Sequence, residues 1–226
     1  MKINLISLFP KMFEGPFAEG VIARAIKNDL IKINYWEMRK WAWNNYGAVD
    51  DKPYGGGVGM LIRVDVISKA LKDLGIKKGT KNKKIILTSA KGKKFNQEMA
   101  ERWSKLDEIT IIAGRYEGFD ERVSRLVDDE VSIGDYVLTG GEIAATVMVD
   151  ACVRLLPGVL GKDESSQVES FSEIEIGGKK VRVKEFPQYT RPEVYENMKV
   201  PSELISGDPK IVKGWQEDKL KESTGK

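Results

Sequence analysis

Three segments of this 226-residue chain gather polar side chains around glycines. Gly114-Arg115-Tyr116-Glu117-Gly118-Phe119-Asp120-Glu121-Arg122 packs two arginines and three carboxylates into one short stretch directly after the apolar run Ile109 to Ala113. Loops beyond the carboxyl ends of parallel strands are where α/β sheets bind ligands, and this position favours a binding role over a salt-bridged surface loop. Ser132-Ile133-Gly134-Asp135-Tyr136-Val137-Leu138-Thr139-Gly140-Gly141-Glu142 runs from a strand end into a long apolar helix. Gly140-Gly141 would let the chain turn tightly beside a ligand with helix N-terminal amides nearby, although from the physics alone a plain strand–turn–helix connection is the better account of it.

The third segment is Asp50-Asp51-Lys52-Pro53-Tyr54-Gly55-Gly56-Gly57-Val58-Gly59-Met60, with four glycines in five residues. Such a backbone reaches positive φ without steric cost and can approach a ligand closely. No Gly-Lys-Ser/Thr follows, so it is not a phosphate loop of that type, and Met60 spoils the dinucleotide spacing. A flexible surface loop and a ligand loop both remain open readings. Asp150 and Arg154 stand at i and i+4, a spacing that permits an intrahelical ion pair. Later, Lys179, Lys180, Arg182 and Lys184 precede Phe186-Pro187-Gln188-Tyr189-Thr190-Arg191-Pro192, a basic and aromatic mixture suited to phosphates and unpaired bases or to a solvated hairpin.

Absences narrow the chemistry. The chain has no His, which excludes Ser-His-Asp triads, Cys-His dyads and His-ligated metals. Chemistry here must use carboxylates, Arg, Lys, Tyr and backbone groups. The lone Cys152 can form neither an internal disulfide nor a zinc cluster, which points to a reducing, cytoplasmic setting. With 37 Lys+Arg against 34 Asp+Glu, the charge is +3, so contact with a polyanion must come from local patches. No apolar run is long enough for a membrane span, and MKINLISLFPKMF reads as a first strand and not as a signal peptide.

The elements that would position these groups alternate. Apolar runs at Ile3 to Phe9, Ile31 to Trp36, Lys84 to Leu87 and Ile109 to Ala113 read as strands, with Val131 to Leu138 mixing strand and loop. Helical spacing appears at Ala18 to Leu30, Val64 to Leu74, Gln97 to Leu106 and Gly141 to Leu156, the last stopped by Pro157-Gly158. This alternation predicts an α/β fold with a parallel sheet covered on both faces. After Leu160 the polar stretch GKDESSQV has the composition of a linker. Beyond it, Ile174-Glu175-Ile176 and Val181-Arg182-Val183 flank Gly177-Gly178 as a hairpin, and Ile211 to Leu220 closes with a charged helix.

Taken together and in order, these segments resemble the bacterial tRNA (guanine-N1)-methyltransferase family of the SPOUT superfamily. The resemblance is carried by NLISLFPKMFEG (4–15), DDKPYGGGVGM (50–60), AGRYEGFDERV (113–123), SIGDYVLTGGEIAA (132–145), RLLPGVLG (154–161), PQYTRPE (187–193) and VPSELISGDPKIVKGWQ (200–216), and so spans nearly the whole chain. It implies a parallel sheet with a deep trefoil knot, a knotted methyltransferase domain over 1–160, a linker over 161–170, and a small, mostly helical C-terminal tRNA-binding domain over 171–226. It further implies a cytoplasmic homodimer with active sites shared between protomers, S-adenosylmethionine as cofactor with assistance by Mg²⁺, and guanine 37 of tRNA, beside the anticodon, as the methyl acceptor.

By motif, the cofactor would meet Ser89, Gly92, Gly114, Tyr116, Glu117, Ile133, Gly134, Asp135, Tyr136, Val137, Leu138, Gly140 and Gly141. Asp50, Tyr54, Gly55, Gly59 and Arg115 would lie toward the substrate. The family's Ser-Pro-Gln-Gly is Ser89-Ala90-Lys91-Gly92 here. Its general base, usually Asp, maps to Glu169, longer by one C–C bond of about 1.5 Å; Glu173 and Asp163 are the next candidates. Its charge-stabilising arginine maps to Arg154, and no residue is assigned to a metal. Three rivals are weighed: a related knotted RNA methyltransferase with another target, a non-catalytic RNA-binding module, and a Rossmann-type oxidoreductase.

Overall fold

The computed structural model describes residues 1–160, 170–176 and 178–223. It divides into two compact units, Met1–Gly161 and Lys162–Lys226. In the first, the strands are β1 (Lys2–Ser7), β2 (Lys32–Glu37), β3 (Asp50–Asp51), β4 (Leu61–Ile62), β5 (Lys83–Lys94), β6 (Glu108–Ile112) and β7 (Asp129–Ser132). The helices are α1 (Glu14–Phe17), α2 (Gly20–Lys27), α3 (Val64–Asp73), α4 (Gln97–Trp103) and α5 (Gly141–Val153). Five strands form one parallel sheet in the order β2-β1-β6-β5-β7, while β3 and β4 form a separate antiparallel pair.

Strand alternation divides the core. Ile3, Leu5, Ile86, Ile109 and Ile111 face one side, under α2, α4 and α5. Ile6, Ile85, Leu87 and Ile112 face the other, under α3 and the 3-10 turn Met38–Trp41. Each such fully buried side chain contributes on the order of 1.5–3 kcal/mol, so the expected two-sided burial of a parallel sheet is realised on both faces. Helix α5 buries Ala145, Met148, Val149, Cys152 and Val153, yet its outer residues Ile143 and Val147 stay 48% and 43% exposed. A helix apolar all round has more than one face to cover.

Strand β5 departs from the sequence expectation, which ends it at Leu87. Thr88 and Lys93 are both in register with Val131 of β7, so residues 89–92 loop out and the strand resumes with Lys93 and Lys94. The loop returns against the β7 backbone at Gly92, where a Cβ would stand 2.4 Å from Val131 N. Only glycine fits that crossing. Polar lysines carry no apolar periodicity, and their strand character comes from pairing with β7.

The second unit holds β8 (Glu173–Ile176) and β9 (Lys179–Arg182), then β10 (Val194–Tyr195), β11 (Met198–Lys199), α6 (Ser202–Ile205) and α7 (Pro209–Ser223). Strands β8 and β9 pair antiparallel with Ile174 opposite Val181, the hairpin read from the sequence. Phe186 and Tyr189 pack edge-on against Trp215 of α7, with ring centroids 6.4 and 6.2 Å away.

Candidate functional site

A cavity of about 460 Å³ opens beyond the carboxyl ends of β6 and β7 and the first half of β5. Its walls come mainly from residues 87–91, 114–121, 130–134 and 136–141. Its size lies in the range of small-molecule sites, and its position is the usual one for ligands of open parallel sheets.

Glycines set the close approaches. Gly141 N donates to Gly114 O at 2.8 Å, joining the start of α5 to the turn after β6. Thr88 Oγ1 accepts from Gly114 N at 3.2 Å and donates to Ile112 O at 3.3 Å, fixing the same turn from β5. A Cβ on Gly114 would meet the Phe119 ring at 2.6 Å. Tyr116 has φ of +58°, a left-handed conformation in which non-glycine residues are uncommon and which marks a constrained turn. On the other wall, Ser132 Oγ donates to Gly134 O at 2.8 Å, and Tyr136 OH donates to Ile133 O at 3.2 Å. The Asp135 carboxylate pairs with Lys94, and Lys91 Nζ lies 2.9 Å from Glu121 Oε2 at the rim. The Glu121 hydrogen bond raises the Lys91 ammonium above its ordinary pKa.

The glycine-rich loop is stitched to the same region. Glu117 N donates to Met60 O at 3.1 Å, Ile62 N to Gly118 O at 2.9 Å and Asp120 N to Ile62 O at 2.9 Å. A Cβ on Gly59 would stand 2.4 Å from Glu117 Cγ. Asp50 is half-buried in β3, opposite Ile62, whereas Tyr54 is fully exposed and Gly55 has φ of +82° with open space around it. A second cavity of about 480 Å³ adjoins, between Tyr54, Arg63, Asp65 and Arg122. There Arg63 grips both oxygens of Asp65 at 3.0 and 2.8 Å and reaches Asp51 at 3.0 Å. The hydrogen bond from Arg63 holds the Asp65 carboxyl below its ordinary pKa, and that from Arg122 does the same for Asp120.

The structure therefore brings together Ser89, Gly114, Tyr116, Glu117, Ile133, Gly134, Tyr136, Val137, Leu138, Gly140 and Gly141 as cavity lining, with Arg115 among them. Gly92 sits just behind the rim at the β7 crossing, and Asp135 stands outside the lining. Arg154 is not brought to this cavity. It caps the far end of α5, half-buried, whereas Gly141 at the near end touches the cavity; thirteen helical steps of about 1.5 Å separate them by about 20 Å. Glu169 and Asp163 lie outside the described residues. Glu173 opens β8 and lies 3.5 Å from Arg182 and 3.9 Å from Lys180.

One residue was given no role in the sequence reading. Glu142, 1% exposed, lies 2.9 Å from Arg115 Nε through Oε2, close enough for an ion pair but not aligned as a hydrogen bond. Its Oε1 accepts from Ser7 Oγ at 2.6 Å. The available signal was a carboxylate opening an almost wholly apolar helix, which demands a buried partner.

Fold and cavity define a ligand-binding protein of the open parallel α/β class, with its site assembled from loops at the strand ends. The model of the tRNA (guanine-1)-methyltransferase TrmD family matches residues 1–226. Among curated relatives, the tRNA (guanine-N(1)-)-methyltransferase of Enterococcus faecalis is 46% identical over 223 residues, covering 99% of this chain and 86% of that protein. The enzyme of the same name from Lactiplantibacillus plantarum is 47% identical over 216 residues, with 96% and 84% covered, and that of a Geobacter species is 46% identical over 217, with 96% and 83% covered. The chain belongs to this tRNA (guanine-1)-methyltransferase family.

Proposed function

We propose that the protein transfers a methyl group from S-adenosylmethionine to N1 of guanine 37 in tRNA, giving 1-methylguanosine. The observation that carries this reading is the convergence of the 87–91, 114–121 and 130–141 segments on one ligand-sized cavity, with the glycine-rich 50–60 segment laced to its rim. The lining fits the cofactor: Leu87, Ile133, Leu138 and Ala144 supply apolar surface for a nucleoside base, and the glycine turns expose backbone polar groups. When bound, S-adenosylmethionine supplies the methyl group on a sulfonium centre.

The protein's own part follows from guanine chemistry. N1 carries a proton at neutral pH and has no lone pair in the ring plane to attack with until that proton leaves. Glu169 takes it, as a carboxylate within hydrogen-bond reach can. Negative charge then grows on O6, where the fixed guanidinium of Arg154 stabilises it. Arg154 stands ten helical steps, about 15 Å, beyond Ala144, the last α5 residue lining the cavity of the same chain, which supports a homodimer in which one protomer's cavity is completed by the other's Arg154. The uncovered apolar face of α5, with Ile143 and Val147, supports the same assembly.

The loop 89–92, returning across β7 at Gly92, supports the deep trefoil knot of the SPOUT fold. In the second unit, Lys184, Arg191 and the half-exposed Tyr189 support a tRNA-binding role for 171–226 after a linker at 161–170. Among the described residues no helix is long and apolar enough to cross a membrane, and a tRNA substrate puts the enzyme in the cytoplasm. Among the same residues no group of three or more Asp, Glu, Cys or His is placed to hold a metal, so assistance by Mg²⁺ rests on the resemblance alone.

The test is methyl transfer from labelled S-adenosylmethionine to an unmodified tRNA transcript with guanine at 37, beside the same transcript with adenine there. Transfer to the guanine transcript alone, with 1-methylguanosine as product, is expected. Equal labelling of both, or of neither by protein that binds the cofactor, overturns the reading.

A further inference from the structure

The ion pair between Arg115 and Glu142 has a consequence for which ligand charge the cavity accepts. Arg115 lines the cavity, and Glu142 lies behind it. The arginine is held on all sides: Nε beside Glu142 Oε2 at 2.9 Å, Nη1 donating to Thr139 O at 3.1 Å, Nη2 donating to Met12 Sδ at 2.7 Å, and the guanidinium 4.9 Å from the Phe9 ring centre. Ser7 fixes the other oxygen of Glu142 and accepts from Phe9 N at 2.9 Å. At Gly140 a Cβ would stand 2.3 Å from Arg115 Nε, so the arginine reaches Glu142 by lying closely over a residue that has no side chain.

A buried, uncompensated guanidinium at the wall of a cavity would repel any cation placed inside it, because the low local dielectric screens little. We propose that Glu142 is a positioning residue which neutralises Arg115 and draws it back, so that the cavity admits the positively charged sulfonium form of its ligand. This rests on the reading of the cavity as the S-adenosylmethionine site and extends it to a residue with no ligand contact. A purely structural ion pair would affect charged and uncharged ligands alike. A charge-neutralising one discriminates between them.

The experiment is calorimetric binding of S-adenosylmethionine and of its neutral thioether product S-adenosylhomocysteine to the full chain at pH 8. In Glu142→Gln the ratio of the two affinities is expected to shift against the sulfonium by about tenfold, the factor one unpaired charge produces across a cavity at protein-like dielectric. Removing both charges, in Arg115→Met with Glu142→Gln, is expected to return the ratio to that of the unsubstituted protein. An unmoved ratio in folded Glu142→Gln, or a shift that persists in the double variant, overturns the proposal. If thermal unfolding shows that Glu142→Gln does not fold, Arg115→Met carries the test with opposite sign, the ratio moving toward the sulfonium; an unmoved ratio there overturns it equally. Failure of the unsubstituted protein to bind either compound would instead refute the cavity assignment.

Discussion

Replacing Gly141 by alanine drives one methyl group into the point where β5, β6 and α5 converge. The added Cβ would lie 2.0 Å from Thr88 Oγ1, 2.7 Å from Gly114 N and 3.0 Å from Ala113 Cα. Two of these neighbours are backbone, and the hydroxyl is itself held between Gly114 N and Ile112 O, so none can swing aside. Overpacking of this kind costs about 1–3 kcal/mol, and loss of the 2.8 Å bond from Gly141 N to Gly114 O adds about 1 kcal/mol. Alanine's better helix preference returns at most about 1 kcal/mol, which leaves a net loss of about 1–3 kcal/mol. At roughly 2–4 °C per kcal/mol for a chain of this size, Tm falls by roughly 2–12 °C in scanning calorimetry. The same displacement moves a cavity wall, and a shift approaching 1 Å is expected to weaken S-adenosylmethionine binding by at least about tenfold. Gly214→Ala is the control, since a Cβ there meets nothing within 4 Å, and its Tm is expected to hold or rise. A Gly141→Ala protein with unchanged Tm and unchanged cofactor affinity would refute the account of how these three elements meet.

Other perturbations test the remaining assignments. Arg154→Ala and Glu169→Ala are each expected to abolish methyl transfer while the protein stays folded, and Glu169→Ala to retain most cofactor binding; near-normal turnover in folded Glu169→Ala would pass the base assignment to Glu173 or Asp163. Cys152 is 2% exposed, and burial pushes its thiol up to about 12, so iodoacetamide at pH 8 is expected to spare the native protein and label it only after denaturation, as mass spectrometry would read. Burial pushes the Glu108 carboxyl up, but hydrogen bonds from Lys83, Lys2 and Asn4 outweigh this and hold it below its ordinary value. A depressed folded pKa means a stabilisation fully present above the unfolded value of about 4.3 and lost as pH falls through the folded one. Glu108→Gln is therefore expected to cost about 1–3 kcal/mol at pH 7 and to flatten the dependence of urea stability on pH below about 4, with parallel profiles for both proteins counting against it.

The apolar runs made most of the sheet legible. Ile109 to Ala113 and Ile3 to Phe9 read as buried strands, and the structure has β6 and β1 there, shifted by one or two residues. What apolar periodicity could not give was pairing at long range. The order β2-β1-β6-β5-β7 depends on which strands meet, and the second half of β5 is a strand only because Val131 pairs with Lys93. In the site, the glycine clusters were readable because close backbone approach excludes a side chain. Glu142 was not, since its partner Ser7 is 135 positions away and its partner Arg115 belongs to a loop whose direction only the folded chain sets. Arg154 was legible as a residue type through the resemblance; its distance from the cavity follows from the length of α5 and from which end meets the sheet.

The placement of β1 between β2 and β6 bears on how the chain must be made. On the ribosome, β1 meets β2 early, across the short helices α1 and α2, and then presents a bare backbone edge until β6 emerges. Residues 38–107 must be synthesised in between, which at about 5–20 residues per second takes roughly 4–14 s. Through that interval β1, whose residues Ile3 to Ser7 are all buried in the finished fold, carries an open edge of the kind that recruits other chains. Slowing synthesis lengthens that exposure in direct proportion, so soluble yield is expected to fall when translation of residues 38–107 is slowed, even though the stability of the finished fold is unchanged.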